Sequence, residues 1–437
     1  MKTVIAVSDM PDAELLDRLQ CAAWSYFTAS TNTSTGLALD NSRANAPVSI
    51  ASVGFALASC PVAVNRGWIG RTEGCAYCLK VLRFFRDSEQ GDGPEATGYK
   101  GFYYHFLDQH SGKRIWRSEL SMVDTALLIA GALMASQYFG GSDADEVELR
   151  ALVRMLYERI EWNWAQDGHQ TIWQGWKPEC GFLHYGWEGY SEAMVLYALA
   201  LGSPTHPVGD CYEAWTSTYQ WENIYDQDVL YAGPLFVHQF SHAWLDLRGI
   251  RDEFMRSKRS DYFENSRRAV LVQREYARRN PRGCGGFDED SWGLSAGDGP
   301  SDEQSQVNNE TRRLFGYAAR GVPFGPDDGT LCPSSVLASV PFAPALATRC
   351  LRTMLQRHPE ILSDDRLTSG FNPSLSDDGR AWVSPGHYGL DQGIVVLMLE
   401  NHRSGLPWEL MRSCVYVRDG LRRAGFGGGW LDAQVPR

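Results

Sequence analysis

The chain has 437 residues, of which 43% are hydrophobic and 22% charged, the balance of a globular protein that can bury a sizeable core. The formal net charge is −12 and no long basic run occurs, which argues against nucleic acid as a partner, because phosphate binding needs a positive surface. No apolar run reaches about 18 residues, so no membrane span is expected. Acidic residues near the start, Asp9 and Asp12, do not fit a signal peptide. The chain as given is therefore expected in the cytoplasm, or in the periplasm or outside the cell if a leader was removed.

Helical periodicity dominates the chain, since apolar residues recur at i, i+3, i+4 and i+7 and predict about ten to twelve helices. The clearest segments are 13–28, 48–64, 71–86, 119–138, 144–162, 189–201, 234–248, 261–279, 333–356 with a break near Pro341 and Pro344, and 387–401. One short hairpin is predicted over 101–116, where alternating aromatic residues flank a turn at 110–112.

The order of these segments predicts an all-helical ring. Successive helices of similar length alternate between short turns and long loops, which fits helical hairpins laid side by side, and an even number of hairpins can close into a toroid. The long loops at 165–188, 203–233, 280–332 and 363–386 are where function is expected. No linker-like tract interrupts the pattern, so residues 1–437 are predicted to form a single domain with 1–12 as an N-terminal extension.

Three stretches carry carboxyl groups at the starts of apolar helices. Glu192 opens the helix after Trp187 and Tyr190, and aromatic surroundings can bind a sugar face and raise a carboxyl pKa by desolvation. A helix-capping Glu is the alternative, because the helix dipole favours Glu in a first turn. Glu119 and Asp124 lie at the start of the helix 119–138, where each is either functional or a satisfied structural acid. Asp391 precedes an apolar run, where a buried acid is costly unless it is hydrogen-bonded or used.

No metal or organic cofactor is predicted. The His residues at 105, 206, 238, 242 and 387 make neither an HExxH motif nor a compact cluster with Cys, and no GxGxxG or Walker loop follows a strand. Ten cysteines are scattered, and the one CxxC, Cys75 and Cys78, lies in a predicted helix without a second pair. Buried free thiols are expected.

Six motifs stand out along the chain: KGFYYHFLD (100–108), ELSMVDTALLIAG (119–131), WEGYSEAMVLYALALGSPTHP (187–207), WGLSAGDGP (292–300), DDGTLCPSSVLASVPFAP (327–344) and YGLDQGIVVLMLENHRSGL (388–406). Together they resemble the glucoamylase-like domain family, which includes glycoside hydrolase family 144, the bacterial endo-β-1,2-glucanases, and is similar to the cyclisation domain of cyclic β-1,2-glucan synthases. They follow the family order from about residue 13 to 430. Two departures are Ser191, where the family commonly has Asn, and a longer, more polar segment at 300–317.

The resemblance implies an (α/α)6 toroid, and it implies that Glu192 and Glu119 lie in its cleft as leading catalytic candidates, with Asp391 and Asp124 beside them. Glycoside hydrolysis needs one carboxylic acid to protonate the leaving oxygen and one carboxylate to activate water or attack carbon. Glu192 is predicted to be the acid, and Glu119 and Asp391 compete for the second role. The candidate stacking platforms are Trp187, Tyr190, Trp292, Trp382 and Tyr388, with Arg117 and His206 as hydroxyl ligands.

The function predicted on this basis is hydrolysis of β-1,2-glucan to short gluco-oligosaccharides, so the expected partner is a glucan or oligosaccharide. Two alternatives stay open. A transglycosylase would move the glucan to a sugar hydroxyl instead of water, and a non-catalytic glycan-binding protein would use the same scaffold without chemistry. The oligomeric state is not predicted.

Overall fold

The computed structural model describes residues 10–301, 303–307, 310–377 and 379–433, without the side chains of 305–307, 310, 376 and 377. It is helix-rich, and its strands are short. The helices are α1 (Asp12–Ser30), α2 (Ile50–Asn65), α3 (Arg71–Asp87), α4 (Met122–Tyr138), α5 (Ala144–Glu158), α6 (Trp162–Gln166), α7 (Met194–Gly202), α8 (Tyr212–Ser217), α9 (Phe240–Trp244), α10 (Glu253–Ser257), α11 (Tyr262–Arg279), α12 (Pro333–Ala338), α13 (Pro344–Arg357), α14 (Gly389–Arg403), α15 (Leu406–Ser413), α16 (Val415–Arg423) and α17 (Gly429–Asp432).

The strands are short. They are β1 (Val48–Ser49), β2 (Gly98–Tyr99), β3 (Phe102–Tyr104), β4 (Phe106–Leu107), β5 (Leu120–Ser121), β6 (Gly175–Lys177), β7 (Gly181–Phe182), β8 (Trp221–Ile224), β9 (Gln227–Leu230), β10 (Ala296–Gly297), β11 (Gln304–Val307), β12 (Glu310–Arg313), β13 (Ala318–Ala319), β14 (Leu362–Ser363), β15 (Arg366–Leu367), β16 (Phe371–Asp377) and β17 (Arg380–Val383). One five-stranded antiparallel sheet has the order β2-β3-β5-β6-β7, and the remaining strands form pairs.

Two kinds of helix follow from the sequence. Helices α2, α4, α7 and α14 are apolar nearly all round and buried over most of their length, as expected of helices surrounded by protein. Helices α3, α11 and α13 bury one stripe and expose the other face. We call α2, α4, α7 and α14 the central helices. The buried apolar side chains form one continuous cluster that reaches from Met10 to Leu431.

Glycine allows the central helices α2 and α4 to approach closely. A Cβ atom on Gly54 would lie 2.4 Å from the carbonyl oxygen of Leu127, and one on Gly131 would lie 2.0 Å from the carbonyl oxygen of Gly54. No side chain fits there, so these two glycines fix the backbone separation of the helices.

The short strands join the N-terminal ends of the central helices. Strand β1 leads into α2 and pairs with β4, with Ser49 opposite Phe106. Strand β5 leads into α4 and pairs with β3 and β6, so that Leu120 lies between Tyr104 and Trp176. The amide of Gly389, the first residue of α14, donates to the carbonyl of Asp40. Segments that are far apart in the chain therefore meet at one end of these helices.

The predicted long helices are confirmed, with two splits. The segment 234–248 consists of the 3-10 helix Leu235–His238 and α9, and 333–356 consists of α12 and α13. The predicted hairpin over 101–116 is confirmed around its turn, where Leu107 pairs with Arg114, the amide of Asp108 donates to the carbonyl of Lys113, and the amide of Ile115 donates to the carbonyl of Phe106. It does not extend to the residues of β3, which pair with β2 and β5. The sheet gives these residues more distant partners than the adjacent strand could offer.

Three further predictions concern the chain as a whole. Within the described residues no helix is long and apolar enough to cross a membrane. All ten cysteines are free thiols and eight of them are buried, including Cys75 and Cys78, which confirms the prediction for those two. Residues 1–9 of the predicted N-terminal extension, and residues 302, 308 and 309 of the segment 300–317, lie outside the described residues.

Candidate active site

Four of the predicted acids lie at the N-terminal ends of the central helices. Glu119 directly precedes β5, Asp124 is in the first turn of α4, Glu192 lies two residues before α7, and Asp391 is in the first turn of α14. Electrostatic interactions connect them: Asp124 interacts with Glu192, and Asp40 interacts with both Asp124 and Asp391. The structure thus brings the four predicted acids together at one end of the central helices, where Glu119 and Asp124 remain partly exposed; we call this site the cleft.

His105 connects two of these carboxyl groups. Its Nδ1 lies 2.8 Å from Oε1 of Glu119, and its Nε2 lies 3.5 Å from Oδ2 of Asp124. The backbone holds the ring in place, because the amide of His105 donates to the carbonyl of Glu119 and its carbonyl accepts from the amide of Ile50 at the start of α2. The ring also stacks on Phe106, with centroids 3.9 Å apart.

Opposite charges set the protonation of this pair. Burial favours a neutral His105, but the carboxylates of Asp124 and Glu119 outweigh it and raise the pKa of His105 to about 9. Burial likewise favours a neutral Glu119, yet the hydrogen bond and charge of His105 lower the pKa of Glu119 below its usual value. Glu119 is therefore a carboxylate, and His105 an imidazolium, at neutral pH.

Asp124 has a structural role at the start of α4 as well. The hydroxyl of Ser121 donates to Oδ2 of Asp124 at 2.6 Å, and the amide of Asp124 donates back to the Ser121 hydroxyl at 3.2 Å. This reciprocal pair caps the helix. Asp124 is thus fixed from two directions, by Ser121 and by His105.

Glu192 has the opposite electrostatic setting to Glu119. Burial in the cleft, with the nearby charge of Asp124, raises the pKa of Glu192 to about 7. Its backbone is anchored by the Ser241 hydroxyl, which donates to the Glu192 carbonyl at 2.9 Å. The sequence placed Glu192 inside the first helical turn, but α7 begins at Met194 and has no side-chain cap. Glu192 therefore does not cap α7.

Asp391 is a second acid with a raised pKa. Burial raises the pKa of Asp391 to about 7, against hydrogen bonds from Ser369 and Ser334 that lower it. The Ser334 hydroxyl donates to Oδ1 of Asp391 at 3.1 Å. The serine hydroxyls hold the carboxyl at the start of α14, while its Oδ2 is buried without a hydrogen-bond partner among the described residues.

Three of the predicted substrate-binding aromatic residues lie within five residues of one of these acids: Trp187 and Tyr190 are half-buried, and Tyr388 is buried. Trp187 accepts a hydrogen bond from the hydroxyl of Tyr197 through its carbonyl, and Tyr190 packs against Tyr219 and His238 with ring centroids 5.7 and 5.2 Å apart. Tyr388 immediately precedes α14 and lies 5.5 Å from the ring of Tyr317.

The other predicted substrate ligands differ in exposure. Arg117 is exposed in the turn just before Glu119. Trp382 is half-buried in β17, opposite Asn372 of β16.

Two residues predicted to bind substrate, Trp292 and His206, do not lie where they could contact it in the cleft. Trp292 is 0% exposed and packs inside the core, so its ring offers no face to a sugar and the stacking prediction is wrong. His206 follows the C-terminal end of α7. Nine residues of helix, about 13 Å, separate that end from Glu192. His206 is therefore not brought to the cleft that holds the acids.

Two residues of this site, His105 and Asp40, are not predicted from the sequence. The spacing of His105 fits no metal-binding motif, and Asp40 lies outside the predicted helices. Asp40 lies between the starts of α2 and α14, where burial raises its pKa and His105 lowers it. In the sequence, His105 is marked only by its position within an aromatic segment, three residues after Phe102, where β3 begins. Its partner Glu119 becomes evident only through the pairing of β3 with β5.

No group of three or more His, Cys, Asp or Glu side chains suited to a metal ion occurs among the described residues. The chemistry that the arrangement offers is proton transfer. It combines a carboxyl protonated near neutral pH, Glu192 or Asp391, with a carboxylate held ionised by His105. Two acids with pKa values displaced in opposite directions are the pattern of acid and base catalysis.

The chain belongs to the family described as "Putative glucoamylase", whose model matches residues 184–415. This confirms the resemblance seen in the sequence motifs.

Proteins of stated activity are among its relatives. It is 27% identical over 451 residues to an exo β-1,2-glucooligosaccharide sophorohydrolase (non-reducing end) of Parabacteroides distasonis. The alignment covers 95% of this chain and 58% of that protein, so the chain spans little more than half the length of this relative.

Two crystal structures resemble the fold along their whole length. A putative glucoamylase of Bacteroides uniformis has a TM-score of 0.85 and 28% identity, with 97% of this chain and 100% of that chain covered. The endo-β-1,2-glucanase of Chitinophaga pinensis, in complex with sophorotriose and glucose, has a TM-score of 0.82 and 25% identity, with 96% and 100% covered.

Proposed function

We propose that the protein hydrolyses β-1,2-glucan to short gluco-oligosaccharides by carboxylate acid and base catalysis. The observation that carries the reaction class is the His105-bridged carboxylate Glu119 in the same cleft as Glu192. The substrate is inferred from the relatives, two of which carry β-1,2-glucan chemistry in their names.

In the proposed mechanism Glu192 is the general acid. A carboxyl whose pKa is raised to about 7 still carries its proton near neutral pH, and can give it to the leaving oxygen as the glycosidic bond breaks. Asp391 has a similar pKa, but hydrogen bonds from Ser369 and Ser334 favour its carboxylate form, whereas in Glu192 only a backbone hydrogen bond opposes the effect of burial. We therefore assign the proton donation to Glu192.

Glu119 is the proposed partner of Glu192. As a carboxylate it can remove a proton from water or attack the anomeric carbon. His105 keeps it ionised at the pH where Glu192 is protonated, so both groups are in the required state together. Asp124 would act through His105 and Ser121 as a positioning residue.

We further propose that residues 1–437 form one domain whose helices close into an (α/α)6 toroid, with the cleft at the N-terminal ends of the inner helices. The packing of α2 against both α4 and α14, and of α14 against α12, supports this arrangement. The sugar ligands proposed in the cleft are Trp187, Tyr190, Arg117, Trp382 and Tyr388.

A panel of β-1,2-, β-1,3-, β-1,4- and α-linked glucans tests the proposal. Reducing ends should appear with β-1,2-glucan, and chromatography should show short β-1,2-gluco-oligosaccharides as products. Cleavage of an α-glucan alone would contradict it. Elongated or cyclic products would instead show a transglycosylase, and binding without any product would show a glycan-binding protein.

A further inference from the structure

Trp116 is an exposed tryptophan in an unfavourable turn. Its side chain is 68% exposed, and the turn is closed by the amide of Ser118, which donates to the carbonyl of Ile115 at 3.0 Å. Both central residues have positive φ, 56° at Trp116 and 50° at Arg117. Such turns usually take Asn-Gly, because bulky L-residues are disfavoured in the left-handed region. Strain of this kind concentrates at functional sites.

The surroundings hold the turn in this conformation. The Arg114 side chain is 1% exposed and pairs with Glu179 at 2.7 Å. Its Nε donates to the carbonyl of Ser118 at 2.6 Å. The Ser118 hydroxyl in turn lies 3.3 Å from the carbonyl of Phe106. Trp116 is therefore presented to solvent by a buried scaffold.

A continuous series of rings leads from Trp116 to the carboxylates. The Trp116 and Phe106 ring centroids are 5.4 Å apart. Phe106 stacks on His105 at 3.9 Å, and His105 contacts Glu119 at 2.8 Å. The exposed ring thus lies next to the cleft, one aromatic residue beyond the imidazolium that holds Glu119.

We propose that Trp116 and Phe106 form an outer subsite that stacks against a pyranose ring of the glucan chain, with two or more sugar units between that ring and the bond that is cleaved. The inference rests on the proposed function and adds a binding site to it. A flat apolar ring with an edge N–H matches the C–H face and hydroxyls of a sugar. The exposed guanidinium of Arg117 can donate to hydroxyl groups beside it.

The test measures how affinity and turnover depend on chain length. A series of β-1,2-gluco-oligosaccharides, from three to about ten units, is assayed with the wild-type enzyme, Trp116→Gly and Trp116→Tyr. Glycine removes the ring and also suits the positive φ, so Trp116→Gly should melt at the wild-type temperature or above. Tyrosine restores a stacking face. The same oligosaccharides are titrated by calorimetry into Glu192→Gln and Glu192→Gln/Trp116→Gly, so that binding is measured without turnover.

Trp68→Ala is the matched control. Trp68 is a half-buried tryptophan in the turn after α2. It lies beyond the opposite end of this 16-residue helix, about 24 Å from the cleft. Its loss should leave the length dependence unchanged.

With Trp116→Gly we expect kcat/KM and affinity to fall about 3- to 10-fold for long chains. The trisaccharide should be unaffected, and Trp116→Tyr should recover most of the loss. An equal loss at every length, or no loss at any length, would overturn the outer subsite. Either result with an active wild-type enzyme leaves the proposed function intact, whereas a wild-type enzyme that cleaves no β-1,2-glucan refutes that function itself.

Discussion

Replacing His105 with Asn removes a positive charge from the cleft but keeps a hydrogen-bond donor close to the position of Nδ1. Two unit charges about 4 Å apart interact by about 4 kcal/mol at an effective dielectric constant near 20. The side chains of His105 and Glu119 are 30% and 28% exposed, so water weakens this attraction. We therefore expect the pKa of Glu119 to rise by about 1–2 units, equivalent to roughly 1.4–2.8 kcal/mol.

The pH dependence of kcat/KM measures this rise in the pKa of Glu119 directly. The proposed mechanism requires an ionised Glu119 and a protonated Glu192, so wild-type activity should fall on the acid side below the usual Glu pKa. On the alkaline side it should fall near pH 7, the pKa of Glu192. In His105→Asn the acid limb should move up by about 1–2 units while the alkaline limb stays near its wild-type position, and the active range should narrow.

His110→Asn is the control, since His110 is exposed in the neighbouring turn and contacts Asn32. Its pH profile should match the wild type. An active His105→Asn enzyme whose acid limb coincides with that of the wild type would refute the reasoning, because the charge of His105 would then not set the ionisation of Glu119.

Three other predictions concern the stability of the protein and its independence of metal ions. The pKa of Glu192 is about 7 in the folded state, above its ordinary value, so folding stability is lost as pH rises from about 4.5 to 7. In thermal melts above pH 7, Glu192→Gln should therefore be more stable than the wild type by on the order of 1–3 kcal/mol. If Glu192 were a helix cap, its replacement would instead lower the stability by about 0.5–1 kcal/mol. Arg320 forms a buried bidentate pair with Asp328 at 2.7 and 2.9 Å, so Arg320→Leu should cost about 3–5 kcal/mol in denaturant titration. Replacing the solvent-exposed Arg86 with Leu should leave the stability nearly unchanged, and equal costs would contradict a special role for the buried pair. EDTA should leave glucan hydrolysis unchanged, and loss of activity restored by a divalent cation would reveal a metal site.

The long helices could be predicted because their signal is local. The apolar period of α3 and α11 is complete within each segment, and the predicted bounds 71–86 and 261–279 lie within one residue of the observed ones. The short helices α15 and α16 were missed, since eight or nine residues carry too few repeats of the period.

The arrangement of the candidate site residues could be predicted only in part, because it depends on contacts between distant segments. Glu119 was placed inside a helix, whereas the pairing of Leu120 with Tyr104 and Trp176 holds it in an extended segment facing His105. A two-residue strand has no pattern of its own. Trp292 shows the converse, since residue type alone suggested a sugar platform and burial placed it in the core.

Turnover of β-1,2-glucan by Glu192→Gln tests the central claim most directly. Gln keeps the shape of Glu192 but cannot deliver a proton, so kcat should fall by about 10²–10⁴-fold while calorimetry shows glucan affinity largely retained. A Glu192→Gln enzyme within about tenfold of wild-type turnover would remove Glu192 as the acid and contradict the account.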